Sequence, residues 1–374
     1  MKNLRLRIVH SSPSSQTEEG AEGESQRLGF NRLHVSIEIM GCDRCQQPAV
    51  LHQPWSGLHL CRSHLVQSVR RRVGKELRRQ LTLPREGGTL LVAMSGGKDS
   101  AVLLHELYHL LGPRRNLQIV AVLVDEGIEG YRPPSQLCAQ ELCDRLGVEL
   151  HIARMVDDLG RPMDKAVSEA DAVGTRLGPC SFCGVFRRRG IERVAQEVGA
   201  FAVALGHNLD DTAQTVLMNF QKGDIDRMLR MAPHTNRIVD GLIPRILPLR
   251  MVTELEALLV AREHDLPMYH DDCPYAERGL RKQMRDVVAA LEAATPGTRH
   301  GLLASADAIR EQFPVSGGGV SAQSCTECGA PTSGSSCMPC TMRRILDDGD
   351  SSDGVNQIVD GLDPLTVEAA DKDG

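Results

Sequence analysis

Twelve cysteines constrain this chain more than any other feature of its 374 residues. Eight of them form four Cys-x-x-Cys pairs, a pattern typical of metal ligands in a long intracellular chain. Two sets have the spacing of zinc sites: Cys42, Cys45, Cys61 and His64, and then Cys325, Cys328, Cys337 and Cys340. We predict a structural Zn²⁺ in each set, because closed tetrahedral sites fold short segments that have little core of their own.

The composition narrows the possible classes of protein. Aromatic residues are only 3% of the chain, which disfavours a base-stacking surface for nucleic acid. The net charge of -6 means that any nucleic-acid site must be a local basic patch. No apolar run approaches the roughly 18 residues of a membrane span, and the N-terminus lacks a signal-peptide core. We therefore expect a soluble, cytoplasmic protein without a membrane partner.

One such basic patch lies between residues 62 and 85, where eight Arg and Lys residues accompany a single Glu. The spacing of Arg71, Lys75 and Arg78 predicts a helix with one basic face. Together with the first zinc module this face is a candidate RNA clamp. The alternative is an ordinary solvated helix face.

Short apolar runs alternate with helical stretches from Thr89 onward, which predicts a doubly wound parallel α/β sheet. The predicted strands are Thr89–Met94, Leu117–Val124, Val148–Met155 and Phe201–Leu205, and the predicted helices lie near 99–111, 134–146, 185–198 and 210–221. The predicted organisation is a disordered extension over 1–39 with Met40 as the true start, a zinc finger at 40–66, a basic linker helix at 67–88, an α/β catalytic domain at 89–250, a helical region at 251–315, a zinc ribbon at 320–345 and an acidic disordered tail at 346–374.

A phosphate-binding loop is predicted directly after the first strand, in the run Ser95-Gly96-Gly97-Lys98-Asp99-Ser100. Glycines let backbone N–H groups approach an anion, and the N-terminus of the following helix adds partial positive charge. The spacing is neither Walker A nor the Rossmann fingerprint. It resembles the PP-loop of ATP pyrophosphatases, which implies attack at the α-phosphate and release of pyrophosphate.

Three further cysteines, Cys180, Cys183 and Cys273, lack an obvious fourth partner. Three thiolates suit a 4Fe-4S cluster with one open iron. The alternatives are a redox disulfide, a zinc site completed by His207 or His270, and an ordinary buried thiol at Cys273. We expect Cys138 and Cys143 to be core or surface residues.

A second loop follows strand Phe201–Leu205, in the run Gly206-His207-Asn208-Leu209-Asp210-Asp211. Gly206 would allow a nucleotide to approach the backbone closely. Asp210 or Asp211 is a candidate for binding Mg²⁺ or moving a proton. Two Asp at a helix start are also common simply as caps.

Taken together, these motifs resemble the tRNA 2-thiouridine synthetase family of PP-loop thiolases, over roughly residues 40–343. The resemblance also includes Cys180-Ser-Phe-Cys-Gly-Val-Phe-Arg-Arg, Cys273-Pro-Tyr and Pro296-Gly-Thr-Arg. It implies that ATP adenylates O2 of a uridine-type base and that sulfide on the open iron replaces it. The cofactors would be ATP, Mg²⁺, a 4Fe-4S cluster and two Zn²⁺. The partners would be tRNA, a ubiquitin-like thiocarboxylated sulfur carrier and, as in many members, a second copy of the chain.

The resemblance assigns roles to individual residues. Cys180, Cys183 and Cys273 would hold the cluster. The residues expected at ATP are Ser95, Gly96, Gly97, Lys98, Asp99, Ser100, Arg187, Gly206 and Asp211, and Asp211 is also the expected catalytic acid, base or metal ligand. We expect modification of the wobble uridine. The alternatives are a T-loop ribothymidine, a cytidine-32-type thiolase, an amine-dependent ligase and a non-catalytic zinc-rich RNA-binding protein.

Overall fold

The computed structural model describes residues 4–9, 34–175, 177–234, 242–278, 280–313, 323–332 and 334–348. The chain divides into two compact units, Met1–Gln67 and Ser68–Gly374. The predicted disorder of residues 11–26 and all but the first three residues of the predicted acidic tail lie outside the described residues. No helix in the described ranges has both the length and the apolar composition that crossing a membrane requires.

The described part of the first unit contains two antiparallel pairs of strands. Strands β1 (Leu4–Val9) and β2 (His34–Ile39) pair within the segment for which the sequence predicts a disordered extension. Both strands alternate apolar and polar residues, which is the pattern of a strand with two different faces. Strands β3 (Leu51–Gln53) and β4 (Leu58–Leu60) form a short hairpin, and helix α1 (Arg62–Gln80) begins directly after Cys61.

A five-stranded parallel sheet forms the centre of the second unit. Its strands are β5 (Gly88–Met94), β6 (Leu117–Asp125), β7 (Glu149–Arg154), β8 (Ala200–Ala204) and β9 (Arg245–Ile246), in the spatial order β7-β6-β5-β8-β9. Leu90, Leu91 and Val92 are completely or almost completely buried, because helices cover both faces of a parallel sheet. The predicted fold class is confirmed.

Helices follow most strands of this sheet. They are α2 (Lys98–Leu111), α3 (Arg132–Leu146), α4 (Met155–Leu159), α5 (Met163–Val173), α6 (Pro179–Glu197), α7 (Leu209–Gln221), α8 (Ile225–Leu229), α9 (Glu254–Glu263), α10 (Leu280–Ala294) and α11 (Thr298–Gln312). A C-terminal module follows, with β10 (Gln323–Ser324), β11 (Pro331–Thr332) and α12 (Met338–Asp348). The sequence analysis does not predict α4, α5, α8 or the two-residue strand β9. Of these, α4, α8 and β9 are too short to show a clear hydrophobic period.

The strand order creates a crevice between β5 and β8. These strands are neighbours in the sheet, yet the chain leaves β5 toward β6 and leaves β8 toward β9, on opposite sides. In open α/β sheets, ligands bind beyond the carboxyl ends of the strands at such a switch point. The loops after β5 and β8 are the two loops that the sequence analysis selects.

The basic stretch on α1 has two different sets of cations. Arg70 Nε lies 2.7 Å from Glu106 Oε2, and Arg72 Nη2 lies 2.6 Å from Glu256 Oε1, so both arginines tie α1 to other helices. Glu106 and Glu256 are almost completely buried, and each needs its arginine because an unpaired buried charge is costly. Arg71, Lys75 and Arg78 are exposed at helical spacing, as the sequence predicts. These three residues are called the α1 cation stripe below.

Candidate active site

The loop after β5 is held in one conformation by its own hydroxyls and by two neighbouring segments. The Ser95 amide donates to Ser100 Oγ (3.1 Å), and Ser100 Oγ donates to the Gly97 carbonyl (2.9 Å). The amide of Tyr269 donates to the Gly96 carbonyl (2.8 Å). Gly96 has φ +80°, and a Cβ there would lie 1.9 Å from the Ser135 carbonyl oxygen. Glycine at 96 is therefore required by both conformation and space.

The loop after β8 lies against the phosphate loop. A Cβ on Gly206 would lie 3.3 Å from the Ser100 amide nitrogen, so the two backbones approach closely. Asn208 Nδ2 donates to Asp99 Oδ1 (3.1 Å), and burial raises the pKa of Asp99. The structure thus brings together the two loops that the sequence assigns to ATP. That assignment stays a prediction for the individual residues.

The two adjacent aspartates of this loop have different surroundings. Asp210 is buried, accepts a hydrogen bond from the Glu254 amide (2.8 Å) and lies 2.8 Å from Arg299 Nε. Asp211 forms a capping box with Asn208 at the start of α7, and its Oδ1 lies 3.6 Å from Arg281 Nη1. Asp210 is therefore a structural partner of Arg299, whereas Asp211 is the more accessible carboxylate. Arg299 belongs to the Pro296-Gly-Thr-Arg motif, which explains the role of that motif here.

Lys98 is held by carboxylates in this structure. Its Nζ lies 3.0 Å from Asp99 Oδ2 and 2.9 Å from Glu254 Oε1. Burial lowers the pKa of Lys98, but the charges of Asp99 and Glu254 outweigh this effect and raise it. The ammonium group is therefore charged beside the loop. A bound polyphosphate would compete with Glu254 for it.

A buried ion pair connects the phosphate loop to the cysteine site. Arg132 donates from Nη1 to the Ser95 carbonyl (3.0 Å) and from Nε to Glu126 Oε2 (2.5 Å). Glu126 Oε1 lies 3.9 Å from Arg187 Nη1, one helical turn after Cys183. Sequence reasoning missed Arg132 and Glu126. The position of Glu126 at the carboxyl end of β6 is the signal that would have found it.

The three central cysteines come from two segments that meet beside α6. Cys180 and Cys183 lie in its first turns, and Cys180 Sγ lies 3.9 Å from the carbonyl oxygen of Tyr275, two residues after Cys273. The segment with Cys273 is tied to α5, because the Tyr275 hydroxyl donates to Asp164 Oδ1 (2.6 Å). An Arg278–Asp171 ion pair of 2.6 Å adds a second tie.

The three central cysteines are not arranged as a compact site for a single metal ion. All three are free thiols. Among the described residues, the compact sets of His, Cys, Asp and Glu whose ligand atoms lie within 4.8 Å of one another do not include them, with or without His207 or His270. Burial raises the pKa of Cys183 to about 11, and the charge of Arg187 opposes that rise. The thiols thus need a metal to displace their protons, and a cluster spaces thiolates more widely than one ion does.

Both outer sets of ligands are compact, as zinc requires. In each set, the four ligand atoms lie within 4.8 Å of one another. Cys61 Sγ is 3.3 Å from His64 Nδ1, and Cys328 Sγ is 3.5 Å from Cys337 Sγ. A hydrogen bond from the Cys337 amide lowers the pKa of Cys325 to about 6, which favours the thiolate that zinc binds. The residues present therefore fit one Zn²⁺ in each set.

The C-terminal module packs on the helix that carries Cys180 and Cys183. Met342 and Leu346 of α12 belong to the same buried cluster as Phe182 and Phe186 of α6. Arg161 pairs with Asp347 and, at 2.5 Å, with Glu169, which joins α12 to α5. The C-terminal module thus supports the segments that present the three cysteines.

Comparisons with known proteins give a consistent result. The PP-loop domain matches residues 67–291, and the N-terminal LIM domain of 2-thiouridine synthetase TtuA matches residues 42–66. The tRNA 2-thiolation protein NcsA of Haloferax volcanii is 36% identical over 317 residues, which cover 81% of this chain and 98% of that protein. The cytoplasmic tRNA 2-thiolation protein 1 of Bos taurus is 34% identical and covers 82% of this chain and 88% of its own length.

One solved structure is similar over most of the chain. It is the U34-tRNA thiolase NcsA from Methanococcus maripaludis with its [4Fe-4S] cluster. The TM-score is 0.69 at 31% sequence identity, and the match covers 82% of this chain and 96% of that one.

Replacing Gly96 by Ala should destabilise the protein and abolish ATP binding. The positive φ alone costs about 1–2 kcal/mol, and the clash with Ser135 adds to it. Gly97→Ala is the matched control, because the nearest heavy atom to its Cβ is Ser95 Oγ at 3.6 Å. Thermal unfolding and nucleotide binding measure both effects. Equal stability of the two variants would contradict this account of the loop.

Replacing Met342 by Ala should weaken the cysteine site from a distance. Loss of this buried side chain should cost about 2–5 kcal/mol of unfolding free energy and lower the iron content of anaerobically prepared protein. Met338→Ala on the same helix is the control, since Met338 is 36% exposed. Denaturant unfolding and iron analysis test this. Unchanged iron in a destabilised Met342→Ala protein would show that α12 does not support α6.

Proposed function

This chain belongs to the tRNA 2-thiouridine synthetase family, and we propose that it is an ATP-dependent tRNA sulfurtransferase that makes 2-thiouridine at the wobble position. The observation that carries the proposal is the connection between the phosphate loop and the cysteine site. Polar contacts join Ser95, Arg132, Glu126 and Arg187, and the series ends on α6, the helix that carries Cys180 and Cys183. The two half-reactions, activation of the base and delivery of sulfur, therefore have adjoining sites.

The loops at the switch point supply the activation step. Backbone N–H groups at the start of α2 and the charge of Lys98 bind the phosphates of ATP. The base attacks the α-phosphate through O2, and pyrophosphate leaves. Asp211 is the carboxylate proposed to bind Mg²⁺ or to move a proton, through the oxygen that now faces Arg281.

The cysteines supply the sulfur step. When bound by Cys180, Cys183 and Cys273, a 4Fe-4S cluster offers one iron without a protein ligand, a soft position for sulfur. Arg187 places a positive charge beside these thiolates and offsets part of their negative charge. Tyr275 and Arg278 hold the segment with Cys273 in position. Replacement of the activated O2 by sulfur releases AMP.

The names of the relatives favour the wobble uridine over the T-loop ribothymidine. The similar thiolase from Methanococcus maripaludis acts on U34. The relatives from Bos taurus and Drosophila are named cytoplasmic, which supports the cytoplasm as the location of this protein. A thiocarboxylated ubiquitin-like sulfur donor and a homodimer are further parts of the proposal and rest on the family resemblance alone.

Two variants test the mechanism. Cys273→Ser should remove the iron and abolish 2-thiouridine formation while both zinc ions remain. Asp211→Ala should retain the iron and lower turnover by about 100-fold or more, the size of a general acid–base contribution. Anaerobic protein is assayed with ATP, sulfide and tRNA, and AMP and 2-thiouridine are quantified by mass spectrometry.

Cys138→Ser is the control, because Cys138 lies on α3 outside all the predicted metal sets. Thiolation by Cys273→Ser at the wild-type rate would refute the role of the three cysteines. A wild-type protein that binds tRNA but never releases AMP would instead favour the alternative of a non-catalytic RNA-binding protein.

The α1 cation stripe is the proposed contact for the tRNA backbone. Arg71, Lys75 and Arg78 are exposed, and no ion pair of theirs occurs within the described part of the chain. Arg70 and Arg72, by contrast, already neutralise buried glutamates. Of these five α1 cations, the three stripe residues are therefore the ones left available to phosphates, in a chain whose net charge is negative.

Replacing the three stripe residues by Ala should weaken tRNA binding and flatten its salt dependence. Each lost phosphate contact lowers the slope of log K against log salt by about 1, so the expected change is about 2–3. Arg114→Ala with Arg115→Ala is the control, since both residues are exposed in the turn before β6. Binding is measured between about 50 and 200 mM salt. An unchanged slope would show that the stripe does not contact tRNA and is an ordinary solvated helix face.

A further inference from the structure

A third set of metal-ligand side chains lies between α2 and α9, apart from the cysteine sites. His105 and Glu106 come from α2, and His264 follows directly after α9. One ligand atom from each lies within 4.8 Å of the others, and His105 Nδ1 is 3.3 Å from Glu106 Oε1. The rings of His105 and His264 are 4.3 Å apart between centroids. His105 and Glu106 are buried, so this set is not an exposed acidic cluster.

One ligand atom of this set has no partner. His264 Nε2 is buried and makes no hydrogen bond. A buried imidazole nitrogen without a partner is costly, and it normally binds protein, water or a metal. Two imidazoles and one carboxylate are the ligand types of a His₂Glu zinc site. A third histidine, His109, packs against His105, with 4.4 Å between the ring centroids.

Arg70 would orient the Glu106 carboxylate in such a site. Its Nε and Nη2 donate to both oxygens of Glu106, at 2.7 and 3.1 Å. Carboxylates that bind metals are themselves usually hydrogen-bonded, because this fixes their orientation. Arg70 leaves the remaining lone pairs of Glu106 toward His105. The contact between Arg70 of α1 and Glu106 of α2 would then also hold a metal ligand in position.

The position of the set connects it to the phosphate loop. His105 lies seven residues after Lys98 on α2, which is about 10 Å along the helix axis. Lys98 pairs with Glu254 at the start of α9, and His264 stands at the other end of α9. A bond between His105 and His264 would therefore fix these two helices at a second point.

We propose that His105, Glu106 and His264 bind a Zn²⁺ ion that clamps α2 to α9 and holds the helix behind the phosphate loop. This third zinc site is separate from the two outer modules and from the three central cysteines. Its ligands are nitrogen and oxygen, so it retains its metal under oxidation that destroys cysteine sites.

Metal analysis of the full-length protein tests the proposal. Anaerobic protein with about four irons per chain is dialysed against micromolar Zn²⁺, freed of excess metal and analysed for zinc and iron. The wild type should bind about three zinc ions per chain. His264→Ala and His105→Ala should each bind about one fewer. His151→Ala, a histidine paired with Glu149 at the edge of the sheet, should keep all three.

The wild-type value decides the proposal even if a variant does not fold. A wild type that binds only two zinc ions overturns it, and so does a folded His264→Ala protein with as much zinc as the wild type. Iron is counted in the same samples, which shows that the central cysteines are not the source of the third zinc. If iron is absent from every sample, the difference between the wild type and His264→Ala still decides, and only the proposed function fails.

Discussion

The ion pair between Arg132 and Glu126 is the interaction on which the arrangement of the site depends. Both side chains are almost completely buried, at 3% and 2% exposure. Burying two charges is costly unless good hydrogen bonds compensate for the lost water. Here Arg132 also donates hydrogen bonds to the Ser95 carbonyl and to Ser135 Oγ. Loss of Glu126 would leave the charge of Arg132 unpaired beside the phosphate loop, and loss of Arg132 would leave Glu126 with only the longer contact to Arg187 (3.9 Å). The ion pair thus holds the phosphate loop at the Ser95 carbonyl, while the Tyr269 amide holds it at the Gly96 carbonyl.

The N-terminal and C-terminal metal modules differ in how their ligands are supported. The C-terminal module contributes Met342 and Leu346 to the core that also contains Phe182 and Phe186. Its zinc ligands therefore stabilise a helix that is part of the main domain. The N-terminal ligands come from the turn at Cys42 and Cys45, from Cys61 directly after the β3–β4 hairpin and from the first turn of α1, within a small compact unit. A metal ion is the natural core for so short a segment.

Local patterns were sufficient for much of this structure. The apolar runs after Thr89 predict strands, the glycine-rich run predicts the phosphate loop, and the cysteine spacing predicts the outer metal sets. Each of these features depends on residues that are close together in the sequence. The partners of charged residues could not be obtained in this way. From the sequence alone, an arginine is expected to be an exposed cation. In the fold, buried glutamates pair with three of them: Arg70 with Glu106, Arg72 with Glu256 and Arg132 with Glu126. Asp210 and Asp211 likewise differ through contacts with Arg299 and Arg281, which are distant in the chain.

The cysteine site is built from parts of the chain that are made at different times. Cys273 follows Cys183 by 90 residues, and β8, α7 and β9 lie between them. At a synthesis rate of about 5–20 residues per second, the first two thiols wait about 5–20 s for the third. Strands β8 and β9, which lie together on one side of β5, are made during that interval. The site can therefore be completed only after both of these strands have been made, and a ribosome that stalls before residue 273 leaves Cys180 and Cys183 without the third cysteine.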